Sequence, residues 1–402
     1  MNKDISLSAI SAGLIAVIIS YAGPLLIVFQ AAKAAQLDSA LLSSWIWAIS
    51  IGSGVTGILL SLRYRTPVIT AWSTPGAALL VASLPGVSYP EAVGAFMFSA
   101  LVIALLGWSG LFEKIMQHIP KPIAAAMLAG ILFRFGIGVF TSLQHQSALV
   151  IAMFIAYLFF KRITPRYAIL SVLLVGTGLA AATGQIAFGS VHASLALPVW
   201  TWPQFSAGTI ISVGIPLCVV TMSGQYVPGL AVLRSAGYQV PAKPLVTLTG
   251  LGSILLAPFG SHGFNLAAIT AAICTGREAH EDAGKRYIAG VACGGFYLLV
   301  GAFGATLAAL FSALPKELIA TIAGLALFGA IMNGLTAAMA DDSQRESALI
   351  TFLLTASNVT LLGLGAAFWG LAVGMLANLV LNSQLAGRLS ENLRGKPAKQ
   401  MR

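Results

Sequence analysis

Residues Ala257 to Gly276 read APFGSHGFNLAAITAAICTG, a stretch inside an apolar run that is ill suited to one continuous membrane helix. Its first half carries Pro258, Gly260, Ser261, His262, Gly263 and Asn265, which interrupt a helix and bring polar groups to a place lipid would not tolerate. Its second half, Leu266 to Thr275, reads as clean helix. With Asn265 as N-cap, a helix to Thr275 is about 16 Å long, roughly half of a ~30 Å hydrocarbon core. That helix is expected to begin near mid-membrane.

The composition sets the surroundings. Of 402 residues, 58% are hydrophobic and 8% charged, with a mean hydropathy of +0.90. A soluble domain would carry about 25% charged residues, so the chain reads as a polytopic membrane protein. Its 42 glycines fit close helix packing in lipid. The net charge of +10 is spread over short loops rather than gathered on one segment, which points to positive-inside topology and not to nucleic acid. Cys218, Cys274 and Cys293 lie in or beside apolar runs and read as small core residues, with no disulfide or metal framework and no cofactor implied. The apolar sequence up to Ala32 is too long for a signal-peptide core and reads as an uncleaved first helix.

Apolar runs bounded by charge or by Pro and Gly give fourteen expected crossings: 8–32, 41–62, 66–83, 91–112, 122–141, 146–163, 167–183, 207–233, 243–257, 262–276, 287–311, 316–338, 346–362 and 365–386. Lys and Arg test this count. With the N-terminus cytoplasmic, nineteen fall at inside ends, only Lys33 and Lys316 at outside ends, and Arg134 within a crossing. One missed helix would invert every later loop and scramble that split. Both termini are therefore expected in the cytoplasm, and the outside connection from Gly184 to Ser206 has no Lys or Arg.

An internal repeat accompanies this pattern. Ile119 to Phe133, IPKPIAAAMLAGILF, aligns with Leu314 to Phe328, LPKELIATIAGLALF, at Pro120/Pro315, Lys121/Lys316, Ala125/Ala320, Leu132/Leu327 and Phe133/Phe328. These stretches open crossings five and twelve, an odd interval, so the repeat is inverted in the membrane, as in many secondary transporters. Crossing ten then requires a partner in crossing three. Thr66 to Leu80, TPVITAWSTPGAALL, supplies one: an extended, β-branched start, then Ser73-Thr74-Pro75, a favourable helix opening.

Two half-helix N-termini facing each other at mid-membrane would receive an anion or a strongly polar group. Around them the reading places Tyr21 and Gln225, each three residues before a proline (Pro24 and Pro228), together with Ser73, Thr74, Gly76, Ser261, His262, Gly263 and Asn265 as the polar and close-approach positions. Trp72 and Phe264 are expected as flat apolar walls. No Asp or Glu falls inside a crossing, so His262 is the expected proton-coupling group, the alternative being a substrate that carries its own proton. The chain has no phosphate-binding loop, no HExxH and no segment long enough for a nucleotide domain. An enzyme or primary pump is not expected, and the energy must come from a gradient.

The stretches SYAGPLLIVFQAA (Ser20 to Ala32), TAWSTPGAALL (Thr70 to Leu80), QYVPG (Gln225 to Gly229) and Ala257 to Gly276 resemble the benzoate/proton symporters of bacterial inner membranes, the BenE family. The resemblance implies an all-α fold of two inverted seven-segment repeats, shared with uracil permeases and sulfate-type carriers, with segments 3 and 10 broken. It divides the chain into core (1–121 and 207–313) and gate (122–206 and 314–388), followed by a cytoplasmic tail, 389–402. A homodimer is compatible with that fold. Where nucleobase permeases carry acids on segments eight and ten, this chain has Gln225 and His262 or Asn265, which suits an anionic carboxylate that a buried acid would repel. The implied activity is proton-coupled import of benzoate or a similar aromatic carboxylate, with core moving against gate. A nucleobase or inorganic-anion carrier and a passive anion channel remain the alternatives.

Overall fold

The computed structural model describes residues 5–112, 114, 120–186, 192–277, 279–359, 361–362 and 364–382. The expected tail, the cationic residues Lys3, Arg388, Arg394, Lys396, Lys399 and Arg402, and the first residue of the aligned repeat, Ile119, lie outside them.

The regular elements of the described chain are helices apart from two three-residue strands. In order it forms α1 (Leu7–Ala22), α2 (Pro24–Ala34), α3 (Ser39–Tyr64), β1 (Thr70–Trp72), α4 (Thr74–Ser83), α5 (Tyr89–Ser109), α6 (Lys121–Thr141), α7 (Leu143–Ile163) and α8 (Ala168–Ala182). The second half forms α9 (Ala207–Arg234), α10 (Ala242–Leu256), β2 (Phe264–Leu266), α11 (Ile269–Thr275), α12 (Tyr287–Ala302), α13 (Gly304–Ser312), α14 (Lys316–Ala338), α15 (Arg345–Ser357) and α16 (Ala366–Asn382). Among the described residues, eight helices are long and apolar enough to cross a membrane, or nine if the pair bent by 67° before Gly304 is one span. The helices α4, α8 and α16 are apolar but shorter.

The breaks have local causes. Gly23 separates α1 from α2, and Pro24 occupies the first turn of α2, where its missing N–H costs nothing. Two π-turns, Ile210–Gly214 and Met222–Tyr226, interrupt α9 just before Pro216 and Pro228. A proline ring clashes with the carbonyl four residues back, and a wider turn relieves that contact. Ser73 caps α4 by accepting from the Gly76 N–H at 3.0 Å.

Crossing ten departs from the expectation that Asn265 caps a helix running to Thr275. Residues Phe264–Leu266 are extended, and the helix starts only at Ile269. The reason lies in a distant part of the sequence: Phe264–Leu266 pairs antiparallel with Thr70–Trp72. The ribbon is continued by Ser73 N–H to Gly263 C=O at 3.3 Å and Ala267 N–H to Ile69 C=O at 2.9 Å. Two broken segments thereby satisfy each other's backbone groups where neither lipid nor a helix could.

The packing is symmetric between the halves. Helix α3, at crossing two, runs along α12 at crossing eleven, while α5 at crossing four runs along α10 at crossing nine. Exchanging each crossing for the one seven places away in the chain, two for nine and eleven for four, turns the first pair into the second. At crossings five and twelve, Gly324 lies against Phe135 and Val139, and Gly334 against Ala125 and Ala129, so α6 and α14 pack antiparallel. Large apolar side chains stand exposed at helical spacing, for example Ile151, Ile155 and Leu158 on α7 and Leu376, Leu379 and Val380 on α16. Hydroxyls such as Ser50, Ser53, Ser61 and Thr249 are buried instead, as expected of a protein whose solvent is lipid. The connection from His192 to Ser206 has no regular secondary structure and is tied down through Ala196 N–H to Ala302 C=O, Thr201 N–H to Pro258 C=O and Gln204 N–H to Pro90 C=O.

Candidate functional site

The ribbon register sets the directions of the side chains. Trp72 stands opposite Phe264, Ala71 opposite Asn265 and Thr70 opposite Leu266. Directly opposed residues share a face and successive ones alternate, so the Ala71–Asn265 pair points away from the face carrying Trp72, Phe264, Thr70 and Leu266.

Both aromatic residues expected as walls are buried, and Phe264 also borders the small cavity that Asn265 lines. Trp72 packs edge-on against Tyr21 and Tyr297, at ring separations of 5.3 and 5.8 Å. Phe264 sits between two helices at glycines: a Cβ at Gly52 would collide with its ring, and one at Gly252 would lie 2.8 Å from it. The small residues on α3 and α10 therefore exist to seat this ring.

Asn265 is 1% exposed, and neither its amide nitrogen nor its amide oxygen has a partner. It borders a small cavity with Ser99, Thr221, Tyr226, Ser253 and His262, with about 10 Å³ open to the centre of a water molecule. That is room for about one water.

His262, 3% exposed, is engaged at both ring nitrogens. The Trp45 indole N–H donates to Nδ1 at 2.9 Å, and Nε2 lies 3.1 Å from the Ser73 carbonyl. An indole only donates and a carbonyl only accepts, so this geometry fixes the neutral tautomer with its proton on Nε2. Trp45 on α3, His262 before β2 and the N-cap of α4 are thus tied in one line. Thr221 on α9 adds a fourth element by donating to Ser73 Oγ at 3.0 Å.

Ser73, His262, Gly263 and Asn265 come together around the ribbon, and Gly76 lies close against Leu217 of α9. Ser261 is buried and accepts from the Gly263 N–H at 3.3 Å. Thr74 is half-buried in the first turn of α4, and Gln225 is half-buried within the second π-turn, outside the cavity wall. Tyr21 donates to Ser50, 2.6 Å away, whose own hydroxyl donates to Ile46 C=O. The equivalent bond in the other half joins Tyr226 to Thr249 at 2.7 Å. By bonding, the counterpart of Tyr21 is therefore Tyr226 rather than its neighbour Gln225, a shift of one residue permitted by the π-turn. Trp45, Thr221, Tyr226 and Ser253 were not singled out from sequence. Only Tyr226, standing before a proline as Tyr21 does, left a readable signal.

The cavity is separated from α6 by that same π-turn. Thr221 and Tyr226 line the cavity, whereas a Cβ on Gly224 would meet Pro75 at 3.2 Å and Leu128 of α6 at 3.5 Å. On the other half, Gly23 meets Ala326 of α14 and Ile169 of α8. Among the described residues, no three His, Cys, Asp or Glu side chains gather as a metal site would need.

Residues 3–380 match the family described as Benzoate membrane transport protein, BenE. The chain is 47% identical over 381 residues to the Benzoate membrane transport protein of Acinetobacter baylyi, covering 95% of this chain and 97% of that one. It is 43% identical over 371 residues to the Inner membrane protein YdcO of Escherichia coli, covering 92% and 95%. Among solved structures, its fold is similar to the transmembrane domain of the cyanobacterial bicarbonate transporter BicA, with a TM-score of 0.57, 15% identity and coverage of 93% and 98%. It is also similar to SLC26A9, with a TM-score of 0.61, 14% identity and coverage of 93% and 65%. The fold is thus that of solved anion transporters, and the chain is a membrane transporter rather than an enzyme. It belongs to the benzoate membrane transport protein family, BenE.

Proposed function

We propose that this protein imports benzoate or a related aromatic carboxylate across the bacterial inner membrane by proton symport. The observation that carries the reading is Asn265: a buried amide with both ends unpaired, at the crossing point of two broken segments, in a chain of this family. A buried polar group left unpaired costs about 1–3 kcal/mol, a cost that a polar substrate group would remove. Tyr226 and His262 line the same cavity as the amide, and Thr74 and Gln225 stand half-buried outside its wall.

The symmetric packing supports fourteen segments in two inverted sevens, with β1–α4 and β2–α11 completing segments 3 and 10. Helices α1–α5 and α9–α13 form a core (1–121, 207–313), and α6–α8 and α14–α16 a gate (122–206, 314–388). Core and gate meet at glycines, Gly23 against Ala326 and Gly224 against Leu128, which suits sliding more than interlocked side chains would. Movement of the second π-turn away from α6 would open the cavity to substrate. The Lys and Arg distribution supports a cytoplasmic location for both termini.

Coupling through His262 would require the Trp45 bond to break during the cycle, since an imidazolium has no acceptor to offer. The likeness of fold to solved bicarbonate and anion transporters favours one second reading, an inorganic-anion carrier. A thermal-stability screen of purified protein against benzoate, sulfate, bicarbonate and uracil separates the two. Stabilisation by benzoate alone supports the first; stabilisation by an inorganic anion or uracil without benzoate contradicts it.

A further inference from the structure

Resting on the reading above, the geometry points to the chemical form in which the substrate is bound. We propose that it binds as the undissociated carboxylic acid, paired with the Asn265 carboxamide, and that the symported proton is the acid's own.

A carboxamide offers one acceptor, Oδ1, and donors on Nδ2. A carboxylic acid offers the complement, an O–H donor and a C=O acceptor, so the two close a pair of hydrogen bonds. A carboxylate is acceptor-only: it could use Nδ2, but Oδ1 would face a negative oxygen and stay unpaired. In this protein both ends of Asn265 are free and buried, which is the arrangement an acid satisfies and an anion does not.

The surroundings do not compensate an anion. Among the described residues, those lining the cavity include no Lys, Arg, Asp or Glu. Among the described residues, the titratable side chains in the cavity wall are His262 and Tyr226, with Cys218 farther along α9 and Tyr21 and Tyr297 beyond Trp72. Tyr and Cys ordinarily ionise above neutral pH, and His262 is held neutral by Trp45 and Ser73. The helix expected to open at Asn265 starts instead at Ile269, after Ala267 and Ala268. At α4 the Gly76 N–H is already taken by Ser73 Oγ.

No bond other than hydrogen bonds need form. The acid O–H donates to Oδ1, its C=O accepts from Nδ2, and on release inside the acid dissociates to carboxylate and proton. One proton accordingly accompanies each substrate without any protein group changing charge.

The test is equilibrium binding by titration calorimetry on the purified full-length protein between pH 6 and 8, with benzoate and with benzamide, which carries a donor and an acceptor but does not ionise. A free carboxyl ionises near pH 4, so the apparent Kd for total benzoate should rise about tenfold per pH unit. The Kd for benzamide should stay flat, and buffers of different ionisation enthalpy should show about one proton taken up per benzoate. The variant His262→Gln should keep the tenfold slope, and Asn265→Ala should weaken both ligands; if that variant does not fold, the wild-type slopes decide. A flat benzoate Kd without proton uptake, failure of benzamide to bind, or loss of the slope in His262→Gln overturns the inference while leaving benzoate as substrate. Absence of binding by either compound at every pH overturns the functional reading itself.

Discussion

The Trp45 indole N–H donates to Nδ1 of His262 at 2.9 Å, and this bond leaves the histidine a single proton, on the nitrogen facing the Ser73 carbonyl. A residue expected to ionise is thereby held as a neutral crosspiece between α3 and the opening of α4. In the purified protein, ¹⁵N spectra should show His262 neutral with its proton on Nε2 from pH 8 down to pH 6. A charged ring in that range would contradict the geometry. Trp45→Phe keeps the ring packing but strands Nδ1, and should lower stability by about 1–3 kcal/mol.

Phe264 is seated where Gly52 and Gly252 leave space. Gly52→Ala puts a methyl into the ring, an overpacking that costs about 1–3 kcal/mol or more. Thermal denaturation in detergent should show the loss, and Phe264→Ala in the same chain should recover part of it. Equal effects with and without Phe264→Ala would mean that the glycine matters for another reason.

Ser73 Oγ accepts from both the Gly76 N–H and Thr221 Oγ1, joining the cap of α4 to α9. Thr221→Val should cost about 1 kcal/mol and Ser73→Ala about 1–2 kcal/mol. Because one oxygen serves both bonds, the double variant should fall short of the sum. Strict additivity would show that the two sites act independently.

Gly23 meets Ala326 where the break in crossing one touches α14: a Cβ on Gly23 would lie 2.9 Å from that of Ala326. Disulfides need about 3.5–4.5 Å between Cβ atoms, within reach after a small shift, and the three native cysteines are buried. The pair Gly23→Cys and Ala326→Cys should cross-link on oxidation, stop transport and regain it on reduction. Full transport by the cross-linked protein would contradict movement of core against gate at this contact.

Much of this architecture was legible in the sequence because lipid imposes strong rules. Apolar runs, the Lys and Arg split and the odd interval between PKPIAAA and PKELIAT point to the broken partner at Ser73-Thr74-Pro75. The ribbon was not legible: three-residue strands carry no usable periodicity, and Phe264–Leu266 is extended only because Thr70–Trp72 lies beside it. For the same reason Asn265 read as a cap and is instead a strand residue with a free amide. Trp45 read as one more apolar residue of crossing two, since its N–H finds His262 only in three dimensions. Thr221 and Tyr226 were displaced from their simple register by a π-turn that no local residue announces except the following proline.

Uptake of labelled benzoate into proteoliposomes, measured against protein-free liposomes with the outside acidic, tests the central claim most directly. The account predicts saturable accumulation above the protein-free control, collapse when the pH gradient is dissipated, and acceleration by unlabelled benzoate trapped inside. Uptake no faster than in protein-free liposomes, or saturable uptake of uracil or an inorganic anion in place of benzoate, would contradict it.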